Sequence, residues 1–457
     1  MATGNSLTNG INTANYVRSL LGDAASGLAE FNVDNFSALG NMIKGNPILN
    51  NAFFSTLLEK VVGPKVTTLQ SAGKLKFLYD NRGWGSIEEE IAIDIPKARE
   101  FDPSKGGERE FKRMFSDIKN VFHTINLETQ YGVTYDDKQA ERAFTSPEAF
   151  NTFVADLIAT VQRAADYDED LFARGTLAKG IINGNITQVQ VDLTKANDIL
   201  RKMKEMQQRL TFGLPKYNTA KIHISTNPSD VYYFMTPEVQ SLIEIEGKAG
   251  MFHDYYAEVA GNIITIPDWE DYDEERYNDM KGKADFLRLT TAEREFLKKV
   301  GVVMVDKEWF RLNRAYQIAT SSMNQSGLYK NQFLTSAYQL ASSPFNQAVA
   351  LVSNTLTVPE TFKVKVTSAE SDGKSVKTLN LDVSDIAMGF KDRVRFVKRT
   401  EAEVKADGIV TSEFGKVIFT KAGKTKLKAE IDGVVYTATT DLANTAALDS
   451  ELAFNKG

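Results

Sequence analysis

TSPEAFNTFVADLIATVQRAADYDEDLF, residues 145–172, is the stretch on which the reading of the fold turns. Thr145 and Ser146 offer a hydroxyl cap, Pro147 suits a first helical turn, and Glu148 lies near the positive end of the helix dipole. Phe150, Phe153, Val154, Leu157, Val161, Ala164, Asp168 and Leu171 follow at mostly three- and four-residue steps. This predicts a helix of about seven turns with one apolar stripe, the longest element in the chain and long enough to span a domain.

Upstream of it the pattern changes twice. Ile91-Ala92-Ile93-Asp94-Ile95 alternates with a period of two until Pro96, which predicts a strand. Residues 97–119 are dense in both charges, with Pro103 and Gly106-Gly107 at a turn. They predict a long two-stranded excursion with little core of its own, either a solvated hairpin or an arm that contacts a partner. Residues 1–34 read as a weakly ordered arm, and 35–62 as a helical region broken at Pro47.

Downstream, Ile199, Leu200, Met203, Met206 and Leu210 share one face of a helix near Thr194–Leu210. Residues 216–290 alternate short strands with short helices, and Ile222-His223-Ile224 turns His223 towards solvent. Val302–Val305 and Trp309–Ala315 form a strand pair, and the apolar run Gly327–Ser353 closes the core. After Pro359 short strands recur, with Asp432-Gly433 a hairpin turn, which predicts a small β-sandwich of about immunoglobulin size. Residues 441–457 read as a polar tail.

The 457 residues hold no cysteine, which excludes a disulfide framework, thiolate metal sites and thiol nucleophiles. Three histidines leave little for metal or triad chemistry, and His253-Asp254 has no serine that the sequence can pair with it. A net charge of −6 argues against a dedicated nucleic-acid binder or an anionic-membrane anchor. No export signal or membrane-length apolar run is visible, so the chain is expected to be made and kept in a cytoplasm. Gly373-Lys374-Ser375 and Gly423-Lys424-Thr425 lack the glycine five residues upstream that a phosphate loop needs. Gly83-Trp84-Gly85 lacks the third glycine of a dinucleotide fingerprint. The acid clusters Asp166–Asp170, expected at the end of the long helix, and Asp268–Glu275 read as solvated or salt-bridging loops. The expectation is no catalytic residue, no cofactor and no metal. What is left as the expected chemistry is assembly.

The order of elements, with Ser86–Glu90 through Phe101-Asp102, Asn120–His123, Phe150–Asp170, Val303–Phe310, Gly327–Tyr329 and Phe345–Ser353, resembles the Hong Kong 97-type fold of tailed-phage major capsid proteins. It resembles most those of the small podoviruses of the phi 29 group. Residues 407–437 are similar to a bacterial immunoglobulin-like domain of group 2. The resemblance implies an α+β capsid fold with N-terminal arm and helix (1–60) and a capsid core (61–355), followed by an all-β immunoglobulin-like sandwich (356–440) and the tail. Within the core it implies an extended loop about 75–119, a spine helix about 146–172 and an axial domain about 216–300. The loop would lie over a neighbouring subunit, with Arg99, Arg109, Glu110, Lys112 and Arg113 as inter-subunit contacts.

The implied function is a structural subunit that forms pentamers and hexamers and encloses double-stranded DNA in an icosahedral or elongated head. Implied partners are copies of itself, a scaffolding protein, a portal, packaged DNA in loose non-specific contact, and a head fibre or host surface through the immunoglobulin-like module. No membrane is implied, and the chain would reside in the virion after assembly in the host cytoplasm. An encapsulin-like cellular shell is the alternative, and a surface adhesin or carbohydrate-binding protein a further one.

Overall fold

The computed structural model describes residues 3–21, 27–46, 48–49, 52–53, 74–81, 87–96, 98, 101–105, 118–136, 147–247, 262–270, 276–277, 280, 282–324, 329–353, 356–371 and 376–457. At its centre is a five-stranded sheet in the order Thr187–Gln190, Ala348–Val352, Val300–Asp306, Val231–Met235, Ile263–Thr265. Val300–Asp306 and Ala348–Val352 run antiparallel and are buried along their whole length. Val302–Val305 and Ala348–Val352 are continuous apolar runs because both faces of the sheet are covered, and the terminal Asp306 accepts a hydrogen bond from Thr226 Oγ1 at 2.7 Å. Met304, Val302, Val349 and Leu351 face helix Ala196–Leu210 through Ile199, Leu200, Met203, Met206 and Leu210, as the helical spacing predicts. The intervening Val303, Val305, Ala348 and Ala350 face the long helix through Leu177, Ala178 and Ile181.

That long helix, α3, spans Pro147–Asn183, after α1 (Thr3–Leu20) and α2 (Phe36–Gly45). It continues well past the expected end near residue 172, because Ala173, Leu177, Ala178, Ile181 and Ile182 prolong its buried stripe. It stops where Gly184 takes a φ of 89°. A second sheet, in the order Tyr79–Asn81, Phe310–Asn324, Tyr329–Ser342, Leu127–Asp136, packs on α3 through Tyr79, Leu127, Leu312 and Tyr338.

Two expectations are corrected. The N-terminal arm is not weakly ordered throughout: α1 buries Ala14 and Val17. Asn15 clamps Phe31 by donating to its carbonyl at 2.9 Å and accepting its N–H at 2.7 Å. Phe31 in turn stacks near Phe36 and Phe53, with ring centroids 5.4 and 6.1 Å away. Nor are residues 441–457 a tail. Glu451–Lys456 is a strand between Thr361–Ser371 and Val434–Ala438, in the interior of an eight-stranded antiparallel sheet. Leu452 and Phe454 point into its core, and that apolar pair two residues apart was the overlooked signal.

The rest of this C-terminal all-β unit has strands recurring after Pro359, with Phe362, Leu379, Val417, Phe419 and Tyr436 in one core, and adds a short helix, Glu401–Asp407, that the strand pattern did not predict. Asp432 and Gly433 make its predicted tight turn, with φ of 51° and 87°.

Candidate assembly surface

The root of the charged excursion is a two-stranded ribbon, Glu88–Ile93 antiparallel to Ile118–His123, with Glu88 opposite His123 and Ile93 opposite Ile118. Opposed residues share a face. One face therefore carries Glu88, Glu90, Ala92, Lys119, Val121 and His123; the other carries Glu89, Ile91, Ile93, Ile118, Asn120 and Phe122.

The first face lies on the body. Glu90 accepts hydrogen bonds from Ser343 Oγ at 2.6 Å and Arg311 Nη2 at 2.9 Å, and His123 Nε2 stands 3.2 Å away. Burial opposes the Glu90 charge, but hydrogen bonds from His123, Arg311 and Ser343 outweigh it and lower the pKa to about 2. Glu88 accepts from Gln339 Nε2 at 2.7 Å. Ala92 and Val121 pack against Ala220, Ile222 and Phe345. Lys119 donates to the Ala220 carbonyl at 2.7 Å and pairs with Glu413 at 2.9 Å.

Apolar side chains remain on the other face. Ile91, Ile93, Ile118 and Phe122 are 57, 66, 63 and 58 % exposed, and Ile87 and Ile95 extend the stripe beyond the paired residues. Which face meets the body is set by polar partners: the body supplies Arg311 and Ser343 for Glu90, so Ile91 and Ile93, an odd number of residues away, face outward. Glu89 and Asn120, hydrogen-bonded at 3.1 Å, share this otherwise apolar face, and among the described residues the ribbon pairs with no third strand.

Arg99, Arg109, Glu110, Lys112 and Arg113 lie outside the described residues. The charges of residues 97–119 dominate the sequence pattern here and overshadow the apolar face at the root. The available signal was Ala92 between two isoleucines: only the small residue fits a close approach to the body.

The ribbon is carried by a rigid mount. Asp166–Asp170 lies inside α3 rather than at its end or in a loop, and of the two expected environments, solvated or salt-bridging, it takes the salt-bridging one. Asp166 pairs with Lys76 at 2.6 Å, and Asp168 pairs with Arg276. Arg314 grips the Glu169 carboxylate with Nε and Nη2; Tyr338 Oη donates to the same carboxylate at 3.2 Å and Tyr79 Oη to the Glu169 carbonyl at 2.7 Å. Asp170 accepts the Leu75 N–H at 3.1 Å, while burial pushes its pKa up. These bonds fix residues 75–79 and strands Phe310–Asn324 and Tyr329–Ser342 to the helix, and the same strands supply Arg311 and Gln339 to the ribbon.

Among the described residues no group of three or more His, Asp or Glu is placed to hold a metal. No helix among them is long and apolar enough to cross a membrane. His223 is exposed, as expected, and its Nδ1 lies 2.8 Å from Asp94. Lys424-Thr425 is a strand paired with Leu442-Ala443, so the Gly-Lys-Thr tripeptide there is extended chain and not a phosphate loop. Residues 83–85, 253–254, 271–275 and 373–375 lie outside the described residues. A cleft of about 900 Å³ opens between the body and the C-terminal unit. Its cations are largely matched already: Lys202 and Arg209 by Glu205, Lys221 by Glu430, and Arg393 by Asp432.

Among the described residues, then, the body presents no metal cluster and a two-stranded ribbon with exposed isoleucines on its outer face. The model of the Phi29-like phage major capsid protein family matches residues 14–352, and the chain belongs to that family: it is a phage major capsid protein, a structural subunit of the head. The major capsid protein of Bacillus phage GA-1 is 24% identical over 410 residues, covering 88% of this chain and 80% of that protein. That of Bacillus phage B103 is 24% identical over 355 residues, covering 76% and 73%. Among solved structures, the capsid of Staphylococcus phage Andhra is 14% identical, covers 64% of this chain and 88% of that one, and has a TM-score of 0.48.

Proposed function

We propose that this subunit forms pentamers and hexamers that close a head around double-stranded DNA, and that its arm lies over a neighbouring subunit. The observation that carries the reading is the outward face of Ile91, Ile93, Ile118 and Phe122. A neighbour lying on it would remove that apolar area from water. Arg99, Arg109, Glu110, Lys112 and Arg113 then add charged contacts from the more distal arm. Val300–Asp306 and Phe310–Asn324 do not pair as expected but lie in different sheets, joined by the turn Lys307–Trp309; the succession of arm, long helix and central sheet supports a Hong Kong 97-type assignment. In that assignment α3 is the spine of the peripheral domain and residues 216–300 form the axial domain.

The head is proposed to assemble in the host cytoplasm around a separate scaffolding protein and with a portal, and the role is structural rather than enzymatic. A net charge of −6 suits a wall that holds DNA only loosely, since each phosphate contact adds affinity through counterion release. The C-terminal unit, read as an immunoglobulin-like domain of group 2, would face outward towards a head fibre or host surface. Its short antiparallel strands around one apolar core support that reading.

Negative-stain electron microscopy of the purified protein, alone and with its scaffolding partner, tests the proposal. Closed shells or capsomer sheets are expected. Small discrete particles under both conditions would overturn it.

A further inference from the structure

Residues 218–223 are wedged between the arm root and the C-terminal unit, and neighbouring residues serve opposite partners. The Thr219 carbonyl accepts from Arg395 of the C-terminal unit. The Ala220 carbonyl accepts from Lys119 of the arm at 2.7 Å. Lys221 pairs with Glu430 of the C-terminal unit at 2.8 Å. Ile222 shares an apolar cluster with Ala92 of the arm, and His223 binds Asp94 through its backbone N–H at 3.1 Å and Nδ1 at 2.8 Å. Asn218 clasps the segment, accepting the Ile222 N–H at 3.0 Å and donating to its carbonyl at 2.8 Å.

Lys221 sits at φ 52°, a left-handed conformation that a lysine rarely adopts. Such a residue persists only where its surroundings over-determine it, and here the Asn218 clasp and Glu430 do so. A direct bridge runs beside the wedge. Lys119, with only 9 % of its side chain exposed, reaches Glu413 of the C-terminal unit at 2.9 Å. Burial opposes the Glu413 charge, yet hydrogen bonds from Lys119 and Lys398 hold its carboxyl below the usual range.

We propose that the C-terminal unit is the brace of the arm: through residues 218–223 and Lys119 it holds the root in the pose that turns Ile91, Ile93, Ile118 and Phe122 outward. A lone two-stranded ribbon is marginal in water, so it needs support along its length. The body grips one end of the inward face, at Glu88, Glu90 and His123, through Gln339, Arg311 and Ser343. The other end, at Ala92 and Lys119, rests on the wedge, on Phe345 of the body and on Glu413. Only this second end depends on the C-terminal unit. The bearing of the brace on shell closure rests on the assembly reading above; the brace itself does not.

The test is hydrogen exchange by mass spectrometry on unassembled full-length subunits carrying Glu413→Gln with Glu430→Gln, and separately Lys119→Met. Both variants are expected to exchange about tenfold faster in peptides covering 91–93 and 118–120, with 88–90 and the strand Thr361–Ser371 unchanged. Unchanged exchange at 91–93 and 118–120 in both variants would overturn the brace. So would loosening that spreads into Thr361–Ser371, because the two acids would then serve the unit's own fold. Since the measurement is made before assembly, its failure is distinct from a failure to form shells.

Discussion

Replacing Ile91, Ile93 and Ile118 together by threonine separates assembly from folding. Each isoleucine is 57–66 % exposed in the subunit, so the fold gains little from it. Threonine keeps the branched Cβ that suits a strand, and exposed substitutions of this kind change stability by about 0.5 kcal/mol or less. A neighbour that covers the face changes the balance. Full burial of an isoleucine side chain stabilises by about 1.5–3 kcal/mol, and with roughly six-tenths of each one open, about 1–2 kcal/mol per side chain awaits the partner. Threonine retains one methyl group, so about 1 kcal/mol is lost at each position and about 3 kcal/mol per arm contact. That raises the concentration needed for assembly about a hundredfold. The assay is light scattering over a dilution series with scaffolding protein, with electron microscopy of the products and thermal unfolding of the free subunit. The expected result is an unchanged unfolding temperature with the assembly threshold displaced upward. Normal shells at the wild-type threshold would refute the assignment of this face to a subunit contact.

Further outcomes follow from the mount and from the junction with the C-terminal unit. Arg314→Met strands the Glu169 carboxylate, which is 1 % exposed, and is expected to destabilise by about 3–5 kcal/mol, read as a fall in unfolding temperature. Adding Glu169→Gln should recover part of that loss. Glu90→Gln tests the arm root by pH. The folded pKa, about 2, lies below the ordinary 4.5, so the carboxylate's contribution is complete above about pH 5 and is lost as pH falls through 2. The gap in unfolding temperature between wild type and Glu90→Gln should therefore hold steady above pH 5 and narrow towards pH 2. Gly184→Ala is expected to cost about 1–3 kcal/mol in thermal unfolding, since φ is 89° and an added Cβ would run into the Gly389 backbone of the C-terminal unit.

Much of the architecture is legible along the chain. The three- and four-residue spacing of Ile199, Leu200, Met203, Met206 and Leu210 marks a helix face, and all five residues are buried on the central sheet. The runs Val302–Val305 and Ala348–Val352 read as buried strands because a two-sided sheet interior tolerates only apolar side chains. Asp432-Gly433 reads as a turn because few residues accept the left-handed pair it needs. The order of these elements carries the family resemblance with them.

Partnership between distant segments was not legible. Asp166–Asp170 looks like an acidic surface stretch until Lys76, Arg276 and Arg314 arrive from far along the chain and turn it into a buried mount. Residues 451–456 look like part of a tail because four of the six are polar or small, yet Leu452 and Phe454 complete a core made elsewhere. The alternation at 91–95 specifies a strand with two unlike faces and nothing about which face meets the body. Local spacing and backbone preference act over a few residues, so the sequence by itself determined the strongly patterned elements, their order and the absence of thiol chemistry. Which face of the arm looks outward, and what braces it, was decided by Arg311, Ser343, Lys119 and Glu413 meeting in space. Those are charge and burial terms between residues hundreds of positions apart, and they exist only once the chain has folded.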